Sequence, residues 1–285
     1  MNNGFKKIIA ISLILVFVGI ALLGGAIIAS KGDFKTISNA FQNFGLFIGE
    51  SNSIENTKTF NMDSKLENIE MAFVNSNISV SKSLDGKVHV SYEKRKNHTY
   101  EEVTTGNQLL VKEKANWFFN PTLSRTEVSI SIPEESSITK IKLSVVSGSF
   151  KVVNVAANSL DLKAVDASST ITGTKTNTLF FETTNGDLNI QDSSASSLKY
   201  NNVNGSANLS KTTFSDIVMN TVNGTATLSL LGKKDDYKVY LEVVNGSLEF
   251  NNDKFKGNTT LNGNNPKNSI TYKGVNANLI LKTVE

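Results

Sequence analysis

The chain has 285 residues, with 29 Lys and Arg against 26 Asp and Glu, hydrophobic residues at 39%, 19 Gly, 3 Pro and no Cys. That composition describes ordered protein of one extended domain or two small ones, and the missing Cys excludes disulfide frameworks, Cys-based zinc sites, thiol catalysis and a lipoprotein cysteine. Setting aside Lys6 and Lys7 leaves 27 basic against 26 acidic residues, so the pI of 8.8 gives no footprint for nucleic acid, and no basic stripe with interleaved aromatics stands out.

Ile8 to Ala29 is a run of 22 residues without a charge. As an α-helix it spans roughly 30 Å of hydrocarbon, enough to cross a bilayer. Lys6 and Lys7 precede it, so the positive-inside bias keeps the N-terminus cytoplasmic and sends the remainder outside. A cleaved signal peptide is the alternative, but its apolar core would be shorter and would end in small residues, whereas Ile27 and Ile28 stand before Ala29. Residues 1–30 thus read as a cytoplasmic tip and a single-pass membrane anchor.

Residues 31–54 read as an amphipathic juxtamembrane segment. Phe34, Ile37, Phe41, Phe44 and Ile48 fall at helical spacings behind a candidate N-cap, Asp33. Ser38, Asn39, Gln42 and Asn43 make the other side polar and uncharged. An interfacial helix would carry Lys or Arg there, so a lid over the open end of a β structure fits better than the membrane surface.

Residues 55–135 read as a β cap or subdomain. Ile69, Met71, Val74, Asn75, Ser76, Ile78 and Val80 form a first copy of a pattern that returns later. The stretches Lys87–Glu93, Gln108–Lys114 and Thr126–Ile132 alternate as antiparallel strands, with Asp85-Gly86 and Thr105-Gly106-Asn107 as turns and Pro133 as a stop.

Residues 136–285 repeat. Asn-Gly recurs at Asn185-Gly186, Asn204-Gly205, Asn223-Gly224 and Asn245-Gly246, at intervals of 19, 19 and 22. Counting back by 19 reaches Ala167 and Gly148, and counting on by 22 reaches Asn268, which makes seven copies. Seven residues before each phase point stand Ile141, Leu160, Leu179, Leu198, Ile217, Val239 and Leu261. Four after stand Val152, Ile171, Ile190, Leu209, Leu228, Phe250 and Tyr272. Each copy alternates, shifts parity near Asn-Gly and alternates again, so it is two short strands joined by a corner where Gly permits φ > 0. So short a repeat buries nothing alone, and stacking into a β-solenoid supplies a continuous core. The expected fold is all-β, a β-solenoid of period about 19–22 residues behind a transmembrane helix. Stacking also places Asn185, Asn204, Asn223 and Asn245 in a structural ladder of amides.

The run Ile130-Ser131-Ile132-Pro133, then Ile141-Lys142-Leu143, Ser147-Gly148-Ser149-Phe150 and the Asn-Gly copies resemble the bacterial putative-adhesin family of β-strand repeats, including LiaG-like membrane-anchored proteins of Gram-positive envelope-stress systems. The resemblance covers roughly residues 55–280. It implies an extracytoplasmic repeat domain with no catalytic residues to carry over.

His89 and His98 lack companions at metal-ligand spacing, and neither Gly-x-Ser-x-Gly nor a phosphate loop occurs. Glu182 and Glu242 share one column but stand three copies apart, too far for the acid pair of a polysaccharide-acting solenoid enzyme. No catalytic residue, metal or cofactor is expected. Trp117, Phe118 and Phe119, in a connection between strands, are the candidate partner-binding residues, or else a plug for the solenoid end. The expectation is therefore a non-catalytic, membrane-anchored extracytoplasmic protein. Its polar repeats would face a cell-wall polymer or another envelope protein. A solenoid enzyme and a self-assembling structural or sensory protein are the alternatives, and oligomeric state stays open.

Overall fold

The computed structural model describes residues 54–62, 66–96, 98–115, 125–134 and 138–284. The expected anchor at 8–29, the amphipathic segment at 33–48 and the aromatic cluster at 117–119 lie outside them. Among the described residues no helix is long and apolar enough to cross a membrane.

Among the described residues, apart from one 3-10 turn at Lys234–Asp236, the regular structure is all β. In chain order the strands are β1 (Ile54–Met62), β2 (Asn68–Lys82), β3 (Val88–Arg95), β4 (His98–Thr105), β5 (Gln108–Ala115), β6 (Thr126–Ile132), β7 (Lys140–Val153), β8 (Ala156–Thr172) and β9 (Lys175–Asn185). There follow β10 (Leu188–Gln191), β11 (Ser194–Asn204), β12 (Ala207–Leu231), β13 (Tyr237–Asn245), β14 (Ser247–Phe250), β15 (Asp253–Lys256), β16 (Thr259–Asn262) and β17 (Asn268–Val284).

Each repeat forms one rung of a parallel stack. Alternation fixes which side chains enter it: Ile141, Leu143 and Val145, then Phe150 and Val152, are at most 4% exposed. The same positions recur in β8, β9, β11 and β12, and burying each Leu or Ile contributes about 1.5–3 kcal/mol. At the corner two consecutive residues, such as Val203 and Asn204, both point outward, and this switch of parity turns the strand from the first half of the rung to the second.

The spatial order departs from the order of the sequence at both ends. β2 stacks directly on β7, with Ile69 against Ile141 and Ser76 against Gly148. β5 and β6 lie parallel to β2 on its other side, as the two halves of one interrupted rung, so the stretches at 108–114 and 126–132 are antiparallel only to β4 and β3. At the other end β17 intercalates between β12 and β13.

β17 also corrects the last copy. Its register sets Asn276 against Asn223 and Ala277 against Gly224, so the phase point is Ala277 and not Asn268. Ile270 and Leu281 take the apolar positions assigned from sequence to Leu261 and Tyr272, while Leu261 belongs to the antiparallel β16. The reason is the insertion of two hairpin strands, β15 on β14 and β16 on β13, which lengthens the chain between rungs without adding a rung.

Both ends of the stack close with antiparallel strands: β4 and the pair β3 and β1 at one end, β16 and β15 at the other. Tyr92 packs against Phe60, Phe73 and Tyr100 beneath the first of these ends.

Candidate functional site

The corner carries two ladders along the stack. In the first, Asn245 Nδ2 donates to Asn276 Oδ1 (3.1 Å), Asn276 to Asn223 (2.9 Å), Asn223 to Asn204 (2.8 Å) and Asn204 to Asn185 (3.0 Å). The stack therefore brings together the four predicted asparagines and adds Asn276, which the sequence concealed because Ala277 follows it in place of Gly. Gly186 and Gly205 have φ of +143° and +149°, whereas Gly224 and Gly246 lie outside the positive-φ set. What all four share is close approach: a Cβ would fall 1.9–2.2 Å from a backbone oxygen of the neighbouring rung.

The second ladder stands one residue earlier. Val74, Val146, Val165, Thr184, Val203, Val222, Val275 and Val244 occupy it, each half-buried or exposed, with Val146 at 38% and Val244 at 40%. An apolar ridge, broken once by Thr184, thus lies in solvent along the described structure.

Beyond the corner the outward faces of the two half-rungs differ. In the four central rungs the second half presents Ser168, Thr170 and Thr172, then Asp187, Asn189 and Gln191, then Ser206, Asn208 and Ser210, then Thr225, Thr227 and Ser229. Asp187 is the one charge among these twelve. Neighbours along a strand on one face stand about 6.8 Å apart and equivalent residues on adjacent rungs about 4.8 Å apart, so this is a flat lattice of hydroxyls and amides.

The first half instead carries ions and rings. Lys163 Nζ lies 2.9 Å from Glu182 and 4.9 Å from the centre of the Phe180 ring, which Lys199 also approaches at 5.6 Å. Burial pushes the Asp161 carboxyl above its usual range against the pull of Lys163. Glu182 and Glu242 remain in one column, but intercalated β17 adds Lys273 between them, so they are four rungs apart rather than three. That is about 19 Å, whereas glycosidic acid pairs stand about 5–9.5 Å apart. Each is paired to a lysine of the adjacent rung, Glu242 to Lys273 at 3.0 Å.

A buried ionic cluster at the end rung was missed from sequence. Glu113, its side chain wholly buried, accepts from Arg95 Nη1 (2.6 Å), from Tyr100 (3.1 Å) and from the Val74 N–H (2.8 Å), and lies 2.6 Å from His98 Nδ1. Arg95 also donates to the Asn75 carbonyl. In other rungs the corner backbone pairs with the next rung, as where Gly205 N–H donates to Asn223 O. At the end rung, whose two halves are the separate strands β5 and β6, Arg95 and Glu113 serve the corner backbone of β2 instead. Burial alone would raise the Glu113 carboxyl, but His98, the Val74 N–H and Arg95 hold it below its ordinary range. The signal was legible in parity, since Glu113 follows inward-facing Leu109 and Val111.

The histidines are thus structural neighbours of acids: His89 bridges Asn61 (2.7 Å) and Asp85 (2.9 Å). Among the described residues no group of three or more His, Cys, Asp or Glu could hold a metal ion.

No curated protein matches the chain. Among solved structures, a putative adhesin from Bacteroides fragilis aligns with a TM-score of 0.50 at 13% identity, covering 83% of this chain and all of that one. A putative adhesin from Parabacteroides merdae aligns at 0.45 and 10% identity over 81% of this chain and 97% of that one. A putative cell adhesion protein from Clostridium sporogenes aligns at 0.42 and 14% identity over 80% and 99%. At these identities the first shows a shared fold, and the other two add nothing to it. The Toastrack DUF4097 profile matches residues 66–271, well over half the length, from the first complete rung into β17, and by that match the chain belongs to the Toastrack DUF4097 family.

Proposed function

We propose that the protein is an envelope-binding module, tethered by residues 8–29 with its β stack outside the cytoplasmic membrane, and that the second-half face is the binding surface. One observation carries this reading: four consecutive rungs present twelve outward positions of which eleven are Ser, Thr, Asn or Gln. A neutral lattice repeating every 4.8 Å or so offers no deep site and no strong field. It suits an extended, hydroxyl-rich polymer that can make many weak contacts in register, as a cell-wall glycan does. Naming of related structures as adhesins agrees with such a role. Trp117, Phe118 and Phe119, in the sequence between β5 and β6, are proposed as a second contact for a sugar ring or a protein partner.

End-to-end assembly gains less support. At the C-terminal end the outermost strands, β15 and β16, have four residues each and β15 carries Lys254 and Lys256, a common device against edge pairing.

The test is retention of the full chain, in mild detergent, on purified cell wall and on immobilised membrane proteins. Retention on cell wall, weakened by a Trp117→Ala, Phe118→Ala, Phe119→Ala variant, is expected. Retention by neither fraction would sink the reading.

A further inference from the structure

The valine ridge is the feature that a polymer-binding role leaves unused. Seven valines and one threonine in a single outward column put apolar surface partly in water along eight successive rungs, five of them beside asparagines that bond to one another. Exposed apolar surface repeated in this way marks something that covers it.

Three occupants compete, and the geometry separates them. A second copy would meet a ridge only one residue wide, against the roughly 800 Å² per partner that a stable interface needs. A bilayer surface would favour Lys or Arg beside the ridge, and the column that follows it holds Ser147, the acidic Asp166 and a run of asparagines from Asn185 to Asn245, none of them basic. The third is in the same chain. β1 begins at Ile54, paired with Arg95, and Arg95 donates to Asn75 O, so the chain enters the fold at the corner where Val74 begins the ridge.

Six residues upstream stands Ile48, the last of the apolar series Phe34, Ile37, Phe41, Phe44 and Ile48. Six residues reach at most about 20 Å, enough to bring Ile48 to the first valines. As a helix the series spans about 21 Å, with its apolar residues about 5.3 Å apart on average. Rungs recur at about 4.8 Å, so such a stripe runs almost in step with the valines over about four rungs. Tethering also supplies a high effective concentration, which compensates for a narrow contact.

We propose that residues 33–48 dock along the valine ridge and couple the membrane anchor rigidly to the side of the β stack. The polar residues Ser38, Asn39, Gln42 and Asn43 then face solvent, and the second-half face stays open. This places the segment along the side of the stack rather than over its end, which the antiparallel strands already close.

The absence of Cys makes the test direct. In the full-length chain in detergent, Phe41→Cys is combined in turn with Val165→Cys or Val203→Cys on the ridge and with Asn189→Cys on the second-half face, and mild oxidation is followed by non-reducing electrophoresis at high dilution. An intramolecular crosslink to at least one ridge position, at several times the yield of the Asn189→Cys control, is expected. Equal yields at ridge and control positions would overturn the proposal. Crosslinks only between molecules would also overturn it, in favour of a second copy. Two ridge positions guard against failure of one variant to fold.

Discussion

Gly205→Ala probes the close approach of rungs most directly. A Cβ there would lie 2.2 Å from Gly186 O and 2.8 Å from both Gly186 C and Asn202 Nδ2, on a backbone with φ of +149°. The oxygen contact is nearly 1 Å inside the shortest separation real Cβ atoms adopt, and Gly186 is itself held by its N–H to Asn204 O at 3.1 Å. The corners at Ala167 and Ala277 carry a Cβ and lie outside the positive-φ set, so the substituted corner has another conformation to reach, at the expense of its register with both neighbours. Leaving the glycine conformation costs about 1–2 kcal/mol and overpacking about 1–3 kcal/mol, less the 0.4–1 kcal/mol or so that Ala gains by restricting the unfolded chain. The net is about 1–4.5 kcal/mol, centred near 3 kcal/mol, a fall in Tm of roughly 10 °C by circular dichroism. Gly106→Ala is the control: its φ is +57° but nothing lies within 4 Å of the added Cβ, so it should cost about 1 kcal/mol. Equal losses for the two variants would refute the close-approach argument.

Four further outcomes follow from other contacts in the stack. Arg95→Met strands the buried Glu113 carboxylate and should cost about 3–5 kcal/mol in denaturant unfolding; a loss below 1 kcal/mol would mean the cluster is not a cap. Because the Glu113 carboxyl is held low in the folded state, its contribution is present above the unfolded value of about 4.3 and is lost as pH falls through the folded value, so Glu113→Gln should flatten the acid limb of the stability curve measured from pH 6 downward. Asn223→Ala removes two amide bonds of the exposed ladder and should cost about 1 kcal/mol, while Asn223→Asp sets a carboxylate against Asn204 Oδ1 and should cost more at pH 7 than at pH 3. For the register of β17, Thr225→Cys with Asn278→Cys should form a disulfide on oxidation and Thr225→Cys with Ser247→Cys should not, because β17 separates those rungs.

Much of this is legible in the sequence, because a repeat writes its own register. The inward columns through Ile141, Leu160, Leu179 and Leu198 follow from alternation and a period of 19, and the amide ladder follows from stacking. What period alone could not convey was spatial order. The interval of 22 looked like one longer rung, yet it holds a place for β17, whose Asn276-Ala277 lacks the glycine that flagged the other corners. The end rung was hidden for a related reason: β5 and β6 are separated by residues 116–124, so two halves of one parallel rung read as separate antiparallel strands. The valine ridge was visible as Val-Asn-Gly in three copies, but its exposure depends on the double outward step at the corner, which only the backbone reveals.

The account rests on the second-half face, and one comparison tests it. Thr170→Lys, Asn189→Lys and Asn208→Lys together leave every inward position untouched, and Ser159→Lys with Thr178→Lys and Ser197→Lys does the same on the first-half face. Binding of both triple variants to purified cell wall, after matching melting temperatures, should fall at least tenfold for the first and change little for the second. Unchanged binding by the first, or equal loss by both, would contradict the proposed surface.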